Sequence, residues 1–328
     1  MRILALSDCA GLESQSEQVR YANCFSEIEV NLWCDMSPRQ VEQTLIEKNY
    51  DGVFLSSALS NLPIWTSSGS TLWDVLHYQR QDYIGSYADD LMLFRDKALS
   101  DLRSSMGLPS QIITRSFWYY RRGEAQKLMK GLAFPFTLES NLISAPVNEI
   151  TVYSEIDAVR AVDLLFQHNN KLTEILIRKY PNHGRKYTVF VFGNGDSLAC
   201  WPIITAPYAL KQRVLPTAYP MGCPTVDDAE LAGRLAHCAG TLARVFSVRD
   251  YCQLDFLVDT SQSIYFTGIN AAPCLTKIST YACTGALPFQ PEQVFTLLLL
   301  IFFQRTGKLV PDSLLHAFPR SLLEQLGF

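Results

Sequence analysis

The chain has 328 residues, of which 48% are apolar and 18% charged, and its formal net charge is -4. That composition excludes a disordered chain, the length allows two or three lobes with cores of their own, and the acidic balance argues against a nucleic-acid surface. Nine cysteines, an odd count with no C-x-x-C pair, predict reduced thiols in a cytoplasmic protein rather than a disulfide framework or a zinc site.

Met1 to Ser7 reads as a short apolar strand, and Asp8 arrives too soon for a secretory leader. A polar loop is expected next. Pro38 to Lys48 carries a helical pattern and Tyr50 to Leu55 a second strand, which together suggest a small open α/β lobe with its loops at the strands' C-terminal ends. Ser56 to Asp74 is a loop that ends in a helix start at Thr71-Leu72, and Ile84-Gly85-Ser86 is a turn. Phe94 to Lys97 opens a further helix. Arg115 to Arg122 (RSFWYYRR) interleaves aromatic and basic residues; such a cluster can stack on bases, but in an acidic protein a packed loop is the plainer expectation.

Glu174 to Tyr180 is an apolar strand, Asn182-His183-Gly184 a turn, and Phe190 to Gly195 a strand entering a hairpin. Asp227 to Val245 places Leu231, Leu235, Ala239, Leu242 and Val245 at helical spacing. Tyr251 to Ser279 then reads as a hairpin with Asp255 in one strand and Asn270 in the other. A buried Asp facing an Asn needs a partner or an ion, the plainer alternative being a carboxylate that caps a turn. Gln293 to Gln304 is the next helix; its apolar run Val294 to Phe303 is about half a membrane span, so it is read as a buried helix or one whose outer face meets a partner. Pro311 to Leu326 closes the chain with a short amphipathic segment.

These motifs resemble the ATP-grasp ligases of the D-alanine-D-alanine ligase type. The family pattern R-x-D, then E-[IV]-N-x-x-P-G, then M-T and a Ser, is met here by Gln253-Leu254-Asp255, Gly268-Ile269-Asn270-Ala271-Ala272-Pro273-Cys274, Thr276 and Ser279. Asp96-Lys97 resembles the family's M-D-K helix start. Met106-Gly107-Leu108-Pro109 resembles its x-G-[IL]-P, and Gly131 to Ser140 its L-G-[FY]-P strand. Glu174 to Tyr180 and Gly184 to Val189 resemble its two adenosine-holding segments. The resemblance implies a three-lobed α/β fold: an N-terminal open α/β lobe over residues 1–87, a central ATP-grasp lobe over 88–184 and a C-terminal ATP-grasp lobe over 185–328. It also implies that Lys97, Glu139, Arg178, Tyr180 and Lys186 occupy nucleotide-site positions, that Asp255 and Asn270 are metal-ligand positions, and that Ser279 contacts a substrate carboxylate unless it caps a helix. Ser16, with Glu13 and Glu17 beside it, falls where the family orients its first amino acid. Tyr208 and Lys211 fall in the segment replacing the family's substrate-covering loop.

The departures cluster at the chemistry. Glu139 replaces the phosphate-binding Lys, Arg178 and Lys186 replace two adenosine-binding glutamates, Gln253 replaces an Arg, Gly268 replaces the magnesium-gripping Glu, and Asn141 to Ile150 lacks the glycines of a phosphate lid. Two unit charges about 4 Å apart interact by about 4 kcal/mol at an effective dielectric near 20, so exchanging Lys for Glu beside a triphosphate weakens binding by orders of magnitude. The reversed charges could also pair with one another, Glu139 with Arg178 or Lys186, or hold a different anion. The resulting expectation is a degenerate ligase relative with a binding, regulatory or partner-subunit role, without a cofactor, membrane or nucleic-acid partner. It would form a homodimer or join an active ligase, with a small amino acid or peptide as ligand. The alternative is an active ATP-dependent carboxylate-amine ligase that uses ATP and magnesium.

Overall fold

The structure is a computed structural model that describes residues 1–7, 12–34, 36, 38–56, 72–108, 113–118, 129, 132–141, 149–168, 174–180, 184–204 and 225–328, with backbone alone at 12–15, 38, 88, 92, 95 and 113–118. Most of the Ser56 to Asp74 loop, the 142–148 stretch, Tyr119 to Arg122, the Asn182-His183 turn, Tyr208 and Lys211 lie outside the described residues. The chain divides into two compact units. The first comprises residues 1–91, 188–253 and 270–328; the second comprises 92–187 and 254–269.

In the first unit β1 (Arg2–Ser7), β2 (Glu29–Cys34), β3 (Gly52–Leu55) and β4 (Tyr83–Ile84) form a parallel sheet in the order β2-β1-β3-β4. Helices α1 (Leu12–Ala22), α2 (Pro38–Glu47) and α3 (Leu72–Tyr78) alternate with the strands, as parallel pairing requires, because a parallel neighbour is reached only by a crossover. From Leu12 onward the expected polar loop after β1 is corrected to a helix, while residues 8–11 lie outside the described residues. Among the described side chains of α1 only Val19 and Ala22 are buried apolar residues, too few to give a helical period in the sequence. No sequence expectation covers β2 at all.

The same unit contains α7 (Ala229–Val245), α8 (Leu275–Cys283), a 3-10 turn at Pro291–Gln293, α9 (Val294–Arg305), α10 (Asp312–Leu315) and α11 (Arg320–Gln325). Every residue of α9 from Val294 to Phe303 is buried, Thr296 included, which is what a helix apolar on nearly every side demands. It packs in one core with Ile3 and Phe54 of the sheet. No helix among the described residues is long and apolar enough to cross a membrane. Gly52 sets how closely β3 can approach α9, since a Cβ there would lie 2.5 Å from Phe302 Cζ.

Asp250, fully buried, ties three segments of this unit together. Its carboxylate accepts from Arg305 Nε at 2.7 Å, Gly85 N at 2.8 Å and Asn194 Nδ2 at 3.1 Å. The Ile84-Gly85-Ser86 turn is therefore fixed by the strand start at 250 and the end of α9, and Gly85 takes a φ of 108° that side chains disfavour.

A second sheet has the order β10-β9-β11-β12, with β9 (Arg185–Asn194), β10 (Ser197–Ile204), β11 (Tyr251–Val258) and β12 (Ile264–Asn270). Both expected hairpins are present. The β11–β12 turn is held by Asp259, whose carboxylate accepts from Ser261 N and Ser263 N, each at 2.9 Å.

The second unit is built on the antiparallel sheet β5-β8-β6-β7, comprising β5 (Ile113–Trp118), β6 (Phe136–Ser140), β7 (Glu149–Val152) and β8 (Glu174–Lys179). Helix α6 (Glu155–His168) covers one face and shares its core with Leu138, Ile175 and Ile177. The sequence reading passes over α6. Arg115 to Trp118, expected in a packed loop, instead lie in β5 and pair with β8, Arg115 opposite Ile177; the run I-T-R-S-F-W has the β-branched and aromatic content of a strand. Helix α4 (Ala88–Arg95) precedes α5 (Lys97–Ser104). Asp96 caps α5 by accepting from Leu99 N at 3.0 Å.

Candidate functional site

Strand alternation assembles the central cluster of the second unit. Arg178 on β8 pairs with Thr137 on β6, so Glu139, two residues along β6, projects from the same face in diagonal register, with Tyr180 two residues beyond Arg178. Helix α5 adds Lys97 and Asp101, one turn apart and hence on one side. Its first turn is anchored by Asn141 at the end of β6, which accepts from Ala98 N at 3.2 Å and donates to Glu174 Oε2 at 2.7 Å, so that one orphan helix N–H is satisfied by a side chain.

Glu139 Oε2 accepts from Lys97 Nζ and from Arg178 Nη1, each at 3.2 Å, while its other oxygen accepts from the Tyr180 hydroxyl. Arg178 also grips Asp101 in two-pronged fashion, Nε to Oδ2 at 3.1 Å and Nη2 to Oδ1 at 2.5 Å, and donates to the Thr267 carbonyl at 3.2 Å. The side chains of Arg178 and Glu139 are 1% and 3% exposed. Two cations and two carboxylates thus close on each other with no net charge.

Burial works against the charge on Arg178, but Glu139, then Tyr180 and Asp101, outweigh it and hold the guanidinium firmly protonated. Burial likewise works to raise the Glu139 pKa; Arg178, Lys97 and the Tyr180 hydrogen bond overcome it and leave the carboxyl below its ordinary value. Burial and the Glu139 charge push the Tyr180 phenol well above its ordinary range, so it stays a donor.

Other candidate positions fall elsewhere. Lys186 is exposed on β9 and outside this cluster. Asp255 is half-buried on β11. Asn270 ends β12, and its Oδ1 accepts from Ala272 N at 3.1 Å. Gly268 supplies no side-chain oxygen, and a Cβ there would meet nothing within 4 Å. Among the described residues no three His, Cys, Asp or Glu side chains gather as a metal site. With Asn270 turned to its own backbone and no carboxylate at 268, this donor set does not fit a magnesium ion. The buried, neutralised Glu139 cluster does not fit a triphosphate.

In the first unit Ser279 lies within α8, whose N-cap is Cys274; it is not a helix cap. Its hydroxyl donates to the Pro291 carbonyl at 3.1 Å and accepts from Gln18 Nε2 at 2.7 Å. Ser16 instead meets Arg20 one turn on, at 3.5 Å. Gln253, where the family has Arg, accepts from Lys277 Nζ at 2.9 Å. Sequence reasoning missed Asp101, Gln18 and Lys277. Only Asp101 left a signal, its i,i+4 spacing from Lys97.

The element order and sheets define an α/β protein of the ATP-grasp class. Residues 104–287, more than half of the chain, match the family model described as D-ala D-ala ligase C-terminus, and the chain belongs to the D-alanine-D-alanine ligase family. The fold is similar to that of VanG D-Ala:D-Ser ligase from Enterococcus faecalis, with a TM-score of 0.70 at 15% identity over 92% of this chain and 99% of that one. D-alanine-D-alanine ligase from Bacillus anthracis, solved in complex with ATP, gives 0.65 at 15% identity over 94% and 100%. The Coxiella burnetii ligase gives 0.65 at 14% over 94% and 96%.

Proposed function

We propose that this chain is a non-catalytic member of its family, acting in the cytoplasm in a binding, regulatory or partner-subunit role, as a homodimer or beside an active ligase. One observation carries the reading: Glu139, at the position where the resemblance expects a phosphate-binding lysine, is buried and already shared between Lys97 and Arg178. In-line phosphoryl transfer needs surplus positive charge to offset the phosphates as charge shifts among them. This cluster has none to spare. The reversal of charge at Glu139 and Arg178 is matched pairwise, which supports exchange as a set rather than piecemeal decay.

A small amino acid or peptide is the ligand class this reading retains. The second reading, an active ATP-dependent carboxylate-amine ligase that forms an acyl phosphate with ATP and magnesium, draws on the relative solved with ATP. Calorimetric titration of the full chain with ATP and magnesium decides between them. No saturable heat is expected; magnesium-dependent binding in the micromolar range would overturn the proposal.

A further inference from the structure

Three donors converge on the Glu139 carboxylate: Lys97 Nζ and Arg178 Nη1 at one oxygen, the Tyr180 hydroxyl at the other. Asp101 balances one of the two positive charges. Glu139 balances the other. Without its carboxylate the cluster would hold two cations against one anion inside the unit, and an uncompensated buried charge is strongly unfavourable. Two cationic donors and a phenol aimed at one point are the donor set of a small-oxyanion site, charge-assisted and partly dehydrated. Lys97, 17% exposed at its side chain, leaves that point a margin toward solvent.

We propose that Glu139 is an intramolecular plug: the carboxylate of β6 fills an oxyanion cradle formed by Lys97, Arg178 and Tyr180 and keeps free oxyanions of the phosphate class out of it. The proposal rests on the functional reading above and narrows the block to one side chain. It predicts that the cradle survives the loss of its plug, because its three donors come from α5 and the β8 segment and not from β6.

The test is thermal unfolding of the full chain and of Glu139→Ala, titrated with sodium acetate and with sodium phosphate against sodium chloride at matched ionic strength. The parent protein should respond to acetate and phosphate no more than to chloride. Glu139→Ala should unfold at a lower temperature and recover saturably by at least about 2 °C with acetate or phosphate, and adding Lys97→Ala should weaken that recovery about tenfold in anion concentration. No anion-specific recovery overturns the plug, as does an equal response in the parent protein. Should Glu139→Ala fail to fold, Glu139→Ser, which is too short to reach the three donors but keeps a polar group on β6, takes its place: stabilisation by phosphate beyond the parent's supports the plug, and a response equal to the parent's overturns it. Nucleotide binding by the parent protein sinks the functional reading; absent recovery in a protein that still ignores nucleotide sinks the plug alone.

Discussion

Arg178 and Glu139 stand diagonally on adjacent strands, and their charged ends meet at 3.2 Å with both side chains almost wholly removed from water. The pair is completed by Lys97 and Asp101 from a helix. A buried ion pair of this kind contributes little relative to an apolar replacement of both partners, yet breaking it from one side strands the other charge.

Arg178→Ala should therefore destabilise the protein by about 3–5 kcal/mol, because Glu139 and Asp101 lose their shared guanidinium together. Urea denaturation of the variant beside the parent measures this. A loss under about 1 kcal/mol would mean that water already screens the pair.

Glu139 sets a pH dependence whose sign is fixed. Burial raises its pKa, but Arg178 and Lys97 overcome burial and leave it below the ordinary 4.5. A carboxyl depressed by folding contributes stability that is fully present above the unfolded value and is lost as pH falls through the folded one. Denaturation midpoints taken from neutral pH down to about pH 3 should fall more steeply for the parent protein than for Glu139→Gln. Parallel profiles would refute the assignment.

Ser279→Ala removes the acceptor of Gln18, a residue 2% exposed whose Oε1 has no partner among the described residues. With its Nε2 also stranded, the expected cost is about 1–3 kcal/mol, read as a lowered melting temperature without any ligand present. An unchanged melting temperature would show that the hydroxyl does not tie α1 to α8.

Gly268→Glu returns a carboxylate to β12 at a place where a Cβ meets nothing within 4 Å. The change in stability should stay within about 0.5 kcal/mol. Magnesium titration of this variant should still show no binding, since Asn270 remains turned toward Ala272 N; saturable magnesium heat would mean that Gly268 alone withholds the site.

Much of the architecture was legible in the residues. The long apolar run of α9 pointed to a buried helix or one facing a partner, and the D-T-S-Q-S segment after β11 to a turn, because local period and turn chemistry are properties of adjacent residues; the ATP-grasp class came from the resemblance that the ordered motifs carry. Helix α1 was misread because its described buried face mixes Gln18 with Val19 and Ala22, and β5 because the run R-S-F-W mixes basic, polar and aromatic residues without a clean alternation; β5 is also defined by pairing with β8, a neighbour distant in the chain. That Glu139 and Arg178 carry reversed charges was plain from the sequence. That these charges meet each other, with Lys97 and Asp101 closing the balance, was decided only by strand register and one helical turn, since 39 residues separate that pair along the chain and pairing energy depends on distance in space.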